Sequence, residues 1–116
     1  MSASITANTD NEEPNSSRWY IYIIENRLGQ FYTGITCDPI RRIAQHRGEK
    51  PGGAKALKGK SPLVFRGVFE VTTKSQALKA EYRVKQLSRT QKQKLINTKK
   101  LADTEAVWVN EKFSGQ

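Results

Sequence analysis

The chain has 116 residues, 36% hydrophobic and 27% charged, which suits one domain around a modest core. Twenty Lys and Arg against eleven Asp and Glu give a formal net charge of +9, so a polyanionic partner is expected, with nucleic acid first. The lone cysteine, Cys37, excludes an internal disulfide and a multi-cysteine metal site; no apolar run approaches the ~20 residues of a membrane helix, no secretory signal pattern opens the chain, and a cytoplasmic setting is expected.

The charge is unevenly spread. Residues 1–17 carry Asp10, Glu12 and Glu13, no base and little to bury, and are expected to form a disordered tail. Residues 18–100 hold nineteen basic and five acidic residues. The composition changes at Trp19. Trp19–Ile24 is aromatic and β-branched, and predicts a strand with Tyr20, Tyr22 and Ile24 on one face and Trp19, Ile21 and Ile23 on the other. Glu25–Gly29 reads as a turn and Gln30–Ile35 as a second strand, which makes an antiparallel hairpin.

Asp38-Pro39 is a helix start, with Asp as the cap and Pro in the first helical position. That helix should run from Pro39 to about Arg47, where Gly48 can close it. Residues 48–62 form a basic loop with Lys50, Lys55, Lys58 and Lys60. Leu63–Thr72 predicts a third strand, with Gly67 marking a bulge. Helices follow over Ser75–Leu87 and near Gln91–Thr98, and residues 99–116 are a C-terminal extension. The order predicts an α/β (α+β) fold, a small antiparallel or mixed sheet with helices packed against it.

Arg42 and His46 are four apart on one predicted helix and so share a face. As an isolated pair they are commonly just solvated polar residues. Glu81 has Ala77, Leu78 and Val84 as helical-wheel neighbours, and a carboxylate in such a stripe needs a partner. That partner is either a buried Arg or Lys, or a hard cation such as Mg²⁺. Tyr20, Tyr22 and Tyr32 lie on strands, where aromatic residues usually pack. Taken together the set matches phosphodiester hydrolysis, which needs a base, a positive charge on the phosphate and help for the leaving oxygen.

The ordered series Tyr20-Ile21-Tyr22, Tyr32-Thr33-Gly34-Ile35-Thr36, Arg41-Arg42, Gln45-His46, the Gly53–Leu57 run and Ala80-Glu81-Tyr82-Arg83-Val84-Lys85-Gln86-Leu87 resembles the GIY-YIG nuclease superfamily. More narrowly it is similar to the small stand-alone bacterial YhbQ-like group, over roughly residues 18–98. The resemblance implies a three-stranded antiparallel sheet flanked by helices, GIY-YIG-like. It implies catalytic roles for four residues: Tyr22 as general base, Tyr32 as the second motif tyrosine, Arg42 on the phosphate, and His46 as acceptor of the tyrosine's proton. Glu81 falls at the single metal-binding carboxylate, for Mg²⁺ or Mn²⁺. Two residues depart from the name motif, Tyr20 and Thr33. Gln93 falls where several branches carry an Asn.

Two readings of function follow. One is a metal-dependent DNA endonuclease for repair or recombination, selective for structure or strandedness. The other is a non-catalytic nucleic-acid-binding module on the same basic surface. Arg41, Lys50, Lys55, Lys58, Lys60, Arg83 and Lys85 are the expected contacts to nucleic acid, DNA ahead of RNA. The basic loop lacks an aromatic residue for stacking, so it should grip backbone. A monomer is expected, with no membrane association. With no room for a separate targeting domain, its specificity should be loose or borrowed from a protein partner.

Overall fold

The computed structural model describes residues 18–115; the expected disordered tail, residues 1–17, lies outside them. The first strand is β1 (Trp19–Glu25), and its alternation decides how the molecule is layered. Ile21, Tyr22, Ile23 and Ile24 are each at most 1% exposed, so β1 is buried on both faces and must lie inside the sheet. It is flanked by β2 (Phe31–Thr36) and β3 (Val64–Val71), and β3 pairs on its far side with β4 (Val107–Trp108). The order is β2-β1-β3-β4, antiparallel throughout.

The three α-helices among the described residues are α1 (Pro39–His46), α2 (Lys74–Gln86) and α3 (Arg89–Thr98). Ile21, Ile23, Phe69 and Val71 form one core with Ala77, Ala80 and Val84 of α2 and Leu95 of α3. Tyr22, Ile24, Phe65 and Val68 form the other with Ile43 of α1 and with Leu57 and Leu63. Side chains on opposite faces of β1 therefore supply two separate apolar layers, each buried Ile contributing about 1.5–3 kcal/mol. The helix starts are satisfied locally. Asp38 accepts from the Arg41 N–H, Thr73 from that of Gln76, and Ser88 and Gln91 form a capping box.

A bulge adjusts β3. Ile23 pairs with Gly67 and Ile24 with Phe65, which leaves Arg66 as the extra residue, next to the expected Gly67. The bulge lets Phe65 and Val68, three apart, point into the same layer. The expected three strands are in fact four. Val107 pairs with Glu70 and Trp108 with Phe69, and the Trp108 ring meets Phe69 edge-on at 5.3 Å. A two-residue strand is too short to show alternation, so its sequence gives no periodic signal. No helix among the described residues is long and apolar enough to cross a membrane.

The layering yields a stability test. Ile21→Ala removes a fully buried side chain and should lower the unfolding free energy by about 2–5 kcal/mol. Leu28→Ala, at a side chain 58% exposed, should change it by less than about 0.5 kcal/mol. Urea denaturation of both variants checks the contrast.

Candidate active site

Tyr22 reaches the edge of the sheet because its partner across β2 is Gly34. A Cβ at Gly34 would fall onto the Tyr22 hydroxyl and ring. Glycine therefore lets the phenol lie over β2 instead of standing away from it. Tyr32, two residues before Gly34, shares that face as the diagonal neighbour of Tyr22. Their ring centroids are 6.4 Å apart.

The first helix closes over these rings. His46, at its last turn, is 3% exposed, and its ring centroid lies 5.8 Å from Tyr22 and 5.4 Å from Tyr32. The Tyr22 hydroxyl is 2.8 Å from His46 Nε2. Arg42, one turn earlier, donates from Nη1 to Gln45 Oε1 at 2.8 Å and to the Gly52 carbonyl at 2.9 Å. Gln45 is itself buried, at 2% exposure, so its amide oxygen is a fixed acceptor. The structure thus brings Tyr22, Tyr32, Arg42 and His46 into one cluster.

The loop after α1 completes the arrangement. The Ala54 N–H donates to His46 Nδ1 at 3.1 Å. Nδ1 must then be the bare nitrogen of the neutral ring, and the proton sits on Nε2. His46 therefore donates to the Tyr22 oxygen. The expected role of His46 as acceptor of the tyrosine's proton does not hold in this arrangement, because Nε2 already carries one. Gly53 makes the close approach possible, since a Cβ there would run into the Gln45 carbonyl. Leu57, 1% exposed, anchors the loop in the core beneath. Gln45, Gly53 and Ala54 have no expected role from the sequence. Their only signal was their place in the Gln45-His46 and Gly53–Leu57 motifs.

Burial and charge set the protonation states. Burial pushes the Tyr22 phenol well above its ordinary value. The Arg42 guanidinium pulls the other way by its charge and as a donor, while the charges of Tyr32 and Glu81 push upward. Burial, and then the Arg42 charge, lower His46 to about 4. Both groups are neutral at pH 7. With the Tyr22 oxygen already accepting from His46, the phenol's own proton is not used in that bond.

Glu81 lies on the helix that packs against β1 and β2, the strands of the two tyrosines, and its charge is a minor upward influence on Tyr22. Its helix neighbours are partly as expected. Ala77 and Val84 are buried, but Leu78 is 48% exposed, so the apolar stripe runs through Ala77, Ala80 and Val84 instead. The Glu81 side chain is 20% exposed, and Lys85 pairs with it at 3.2 Å. Among the described residues no group of three His, Cys, Asp or Glu converges as a metal cage. A single, partly exposed carboxylate fits Mg²⁺, which keeps several waters and is shared with substrate phosphate. It does not fit zinc, which takes four protein ligands in structural sites and three in catalytic ones.

The expected nucleic-acid contacts divide into two groups. Arg41, Lys50, Lys55 and Lys58 are exposed and Lys60 is half-buried, and none of the five forms an ion pair with a described residue. Arg83 and Lys85 are tied to acids, at Asp103 and Glu81. Gln93 donates to Asn97 at 3.2 Å, which occupies the amide that stands in the Asn region.

The buried neutral imidazole gives stability a pH dependence. An unfolded chain binds the His46 proton near 6.5, the folded one only near 4. The unfolded state therefore holds more protons between these values, and stability rises with pH there. His46 should contribute up to about 3 kcal/mol above pH 6.5, lost progressively as pH falls toward 4. Urea midpoints of the native protein and of His46→Gln, compared at pH 7.5 and 4.5, should show the smaller pH loss in the variant.

A family model for the GIY-YIG catalytic domain matches residues 18–97. UPF0213 proteins of Yersinia pestis and Yersinia pseudotuberculosis are 50% identical over 82 residues, which span 71% of this chain and 84% of each relative. A UPF0213 protein of Bacillus halodurans, solved in solution by NMR, is 39% identical over 71% of this chain and 85% of that one, with a TM-score of 0.48. With its family domain matched over most of its length, the chain belongs to the GIY-YIG family, among the UPF0213 (YhbQ-like) proteins.

Proposed function

We propose that this protein is a metal-dependent endonuclease that hydrolyses phosphodiester bonds in DNA, selects its substrate by structure or strandedness, and serves DNA repair or recombination. The observation that carries the reading is the Tyr22 hydroxyl held 2.8 Å from a neutral His46. A buried phenol that receives a hydrogen bond from one fixed donor, under the charge of Arg42, is arranged to handle a proton. The GIY-YIG domain supports the same class of chemistry.

In this reading water attacks phosphorus in line with the leaving oxygen. The P–O bond to that oxygen breaks as the new one forms, and the water's proton passes to the Tyr22 oxygen. Tyr22 must first release its own proton to solvent water, since His46 Nε2 is already protonated. The Nε2–H and the Arg42 charge stabilise the phenolate so formed. Arg42 keeps its Nη1 on Gln45 and Gly52 and offers the rest of its planar fork to the scissile phosphate. Tyr32 orients water or phosphate. Glu81 is the residue that would hold Mg²⁺ or Mn²⁺. When bound, that ion neutralises charge on the leaving oxygen.

The loop lysines Lys50, Lys55, Lys58 and Lys60, with Arg41, grip the DNA backbone, and binding is accordingly salt-sensitive. We further propose that the protein works as a cytoplasmic monomer, with a partner protein supplying any targeting. One observation favours the rival reading, a binding module without turnover: Glu81 already has a partner in Lys85.

Nicking assays on branched, nicked and single-stranded DNA with and without Mg²⁺ separate the two. Tyr22→Phe and Glu81→Ala should each reduce Mg²⁺-dependent cleavage by about 10²-fold or more, with DNA binding retained. Tyr32→Phe should be milder. Cleavage that survives both Tyr22→Phe and Glu81→Ala contradicts the assignment, and absence of turnover in the native protein leaves the binding module.

A further inference from the structure

The face of α2 opposite its core residues Ala77, Ala80 and Val84 borders an open groove of about 1140 Å³, between α2, α3 and residues 100–105. That volume exceeds the ~300–1,000 Å³ of a typical small-molecule pocket, so the groove suits an extended ligand. Its floor is apolar, with Val71, Leu87, Leu95 and Leu101. Its rim is basic. Lys79, Lys94 and Lys100 line it and form no ion pair with a described residue. Arg83 also lines it, paired with Asp103 at 3.6 Å. Both partners are largely exposed, so the pair is weak and easily exchanged for another anion. The second acid of the lining, Glu105, accepts from the Gln76 amide at 3.2 Å.

One side chain in the groove is out of keeping with the rest of the molecule. Tyr82 is 67% exposed, whereas every other aromatic side chain among the described residues is buried or half-buried. Beside it on the groove wall Leu78 is 48% exposed. An exposed aromatic ring over an apolar floor, rimmed by free lysines, is the chemistry that holds a single-stranded polynucleotide. The ring and floor take base faces, and the lysines take phosphates. A duplex keeps its base faces stacked and gives Tyr82 nothing to stack on. An acidic peptide would use the rim and leave Tyr82 idle.

We propose that this groove is a binding site for single-stranded nucleic acid, with Tyr82 as its stacking platform. Its position adds a consequence, which rests on the nuclease reading. Glu81 and Tyr82 are consecutive on α2, the first being the carboxylate that the nuclease reading gives to the metal and the second lining the groove. A strand in the groove therefore lies on the same helix that carries that carboxylate. The favoured substrate is then DNA with a single-stranded arm beside the scissile bond, such as a flap, a fork or a gap. The loop lysines hold its duplex part, and the α2–α3 groove holds the arm.

Fluorescence anisotropy in EDTA tests the site without any turnover. The probes are a labelled oligothymidylate, a labelled oligouridylate of equal length and a blunt DNA duplex. Tyr82→Ala should weaken binding of the single strands by about tenfold, while Tyr82→Phe, which keeps the ring, stays near native. Lys94→Glu with Lys100→Glu should weaken the single strands and flatten their salt dependence. Duplex affinity should hold in all three variants. Tyr22→Phe should bind every probe as the native protein does, so loss of cleavage and loss of the groove are read separately. Whichever oligomer binds more tightly tells a DNA groove from an RNA groove. The proposal is overturned if Tyr82→Ala binds both single strands like the native protein, or if it weakens duplex and single strands equally. It is also overturned if sedimentation shows a dimer that Tyr82→Ala dissociates, since a second copy would then fill the groove.

Discussion

The hydrogen bond from the Ala54 N–H to His46 Nδ1 is the contact on which the site depends. It joins a loop that the sequence marks only as basic and irregular to the helix that carries Arg42 and His46. Because one imidazole nitrogen is held as an acceptor, the other must be a donor, and the Tyr22 hydroxyl sits 2.8 Å from it. The same loop accepts Arg42 at the Gly52 carbonyl and reaches the helix only because Gly53 has no Cβ to strike Gln45. Arg42 and the neutral His46, the two side chains that act on Tyr22, are thus set by backbone atoms of three consecutive residues, with Leu57 buried behind them as the anchor. The lysines expected to grip nucleic acid, Lys50, Lys55 and Lys58, are carried on that same segment.

The second helix has a comparable double role. Its inner face, Ala77, Ala80 and Val84, seals one core against β1 and β3. Glu81 pairs with Lys85 and adds a minor charge effect on Tyr22, and Tyr82 and Arg83 line the groove. Small residues on the inner face let α2 lie close to the sheet, which is what brings a helix carboxylate within electrostatic reach of a strand tyrosine. A larger residue at Ala77 or Ala80 would push α2 outward and separate Glu81 from Tyr22 before it changed any residue of the site itself.

Much of the fold was legible in the sequence because its signals are local and physical. The alternation from Trp19 to Ile24 gave the two faces of β1 correctly, and Asp38-Pro39 gave the start of α1 and its cap. Gly67 marked the bulge to within one residue. The fourth strand was hidden because two residues carry no period, and only the long-range pairing of Val107 with Glu70 and of Trp108 with Phe69 defines it. In the site, the 3.6-residue period placed Arg42 and His46 on one face of α1. The direction of the hydrogen bond between His46 and Tyr22 was not legible. It is decided by a backbone amide eight residues away, and no side-chain pattern records it. Leu78 was misplaced for a related reason: a helical wheel gives the neighbours of Glu81 but not the width of the buried stripe, which here ends before Leu78. Tyr82 stands in the Ala80–Leu87 motif, but a tyrosine in a helix looks like packing until its exposure is known.

The arrangement of the site turns on which nitrogen of His46 carries the proton. Long-range ¹H–¹⁵N correlation spectra of the imidazole at pH 7 read this directly, independent of any assay of activity. The arrangement around Ala54 and Tyr22 requires a neutral ring with its proton on Nε2 and a bare Nδ1. A ring with its proton on Nδ1, or one doubly protonated at pH 7, would contradict it and would restore His46 as an acceptor or a cation beside Tyr22.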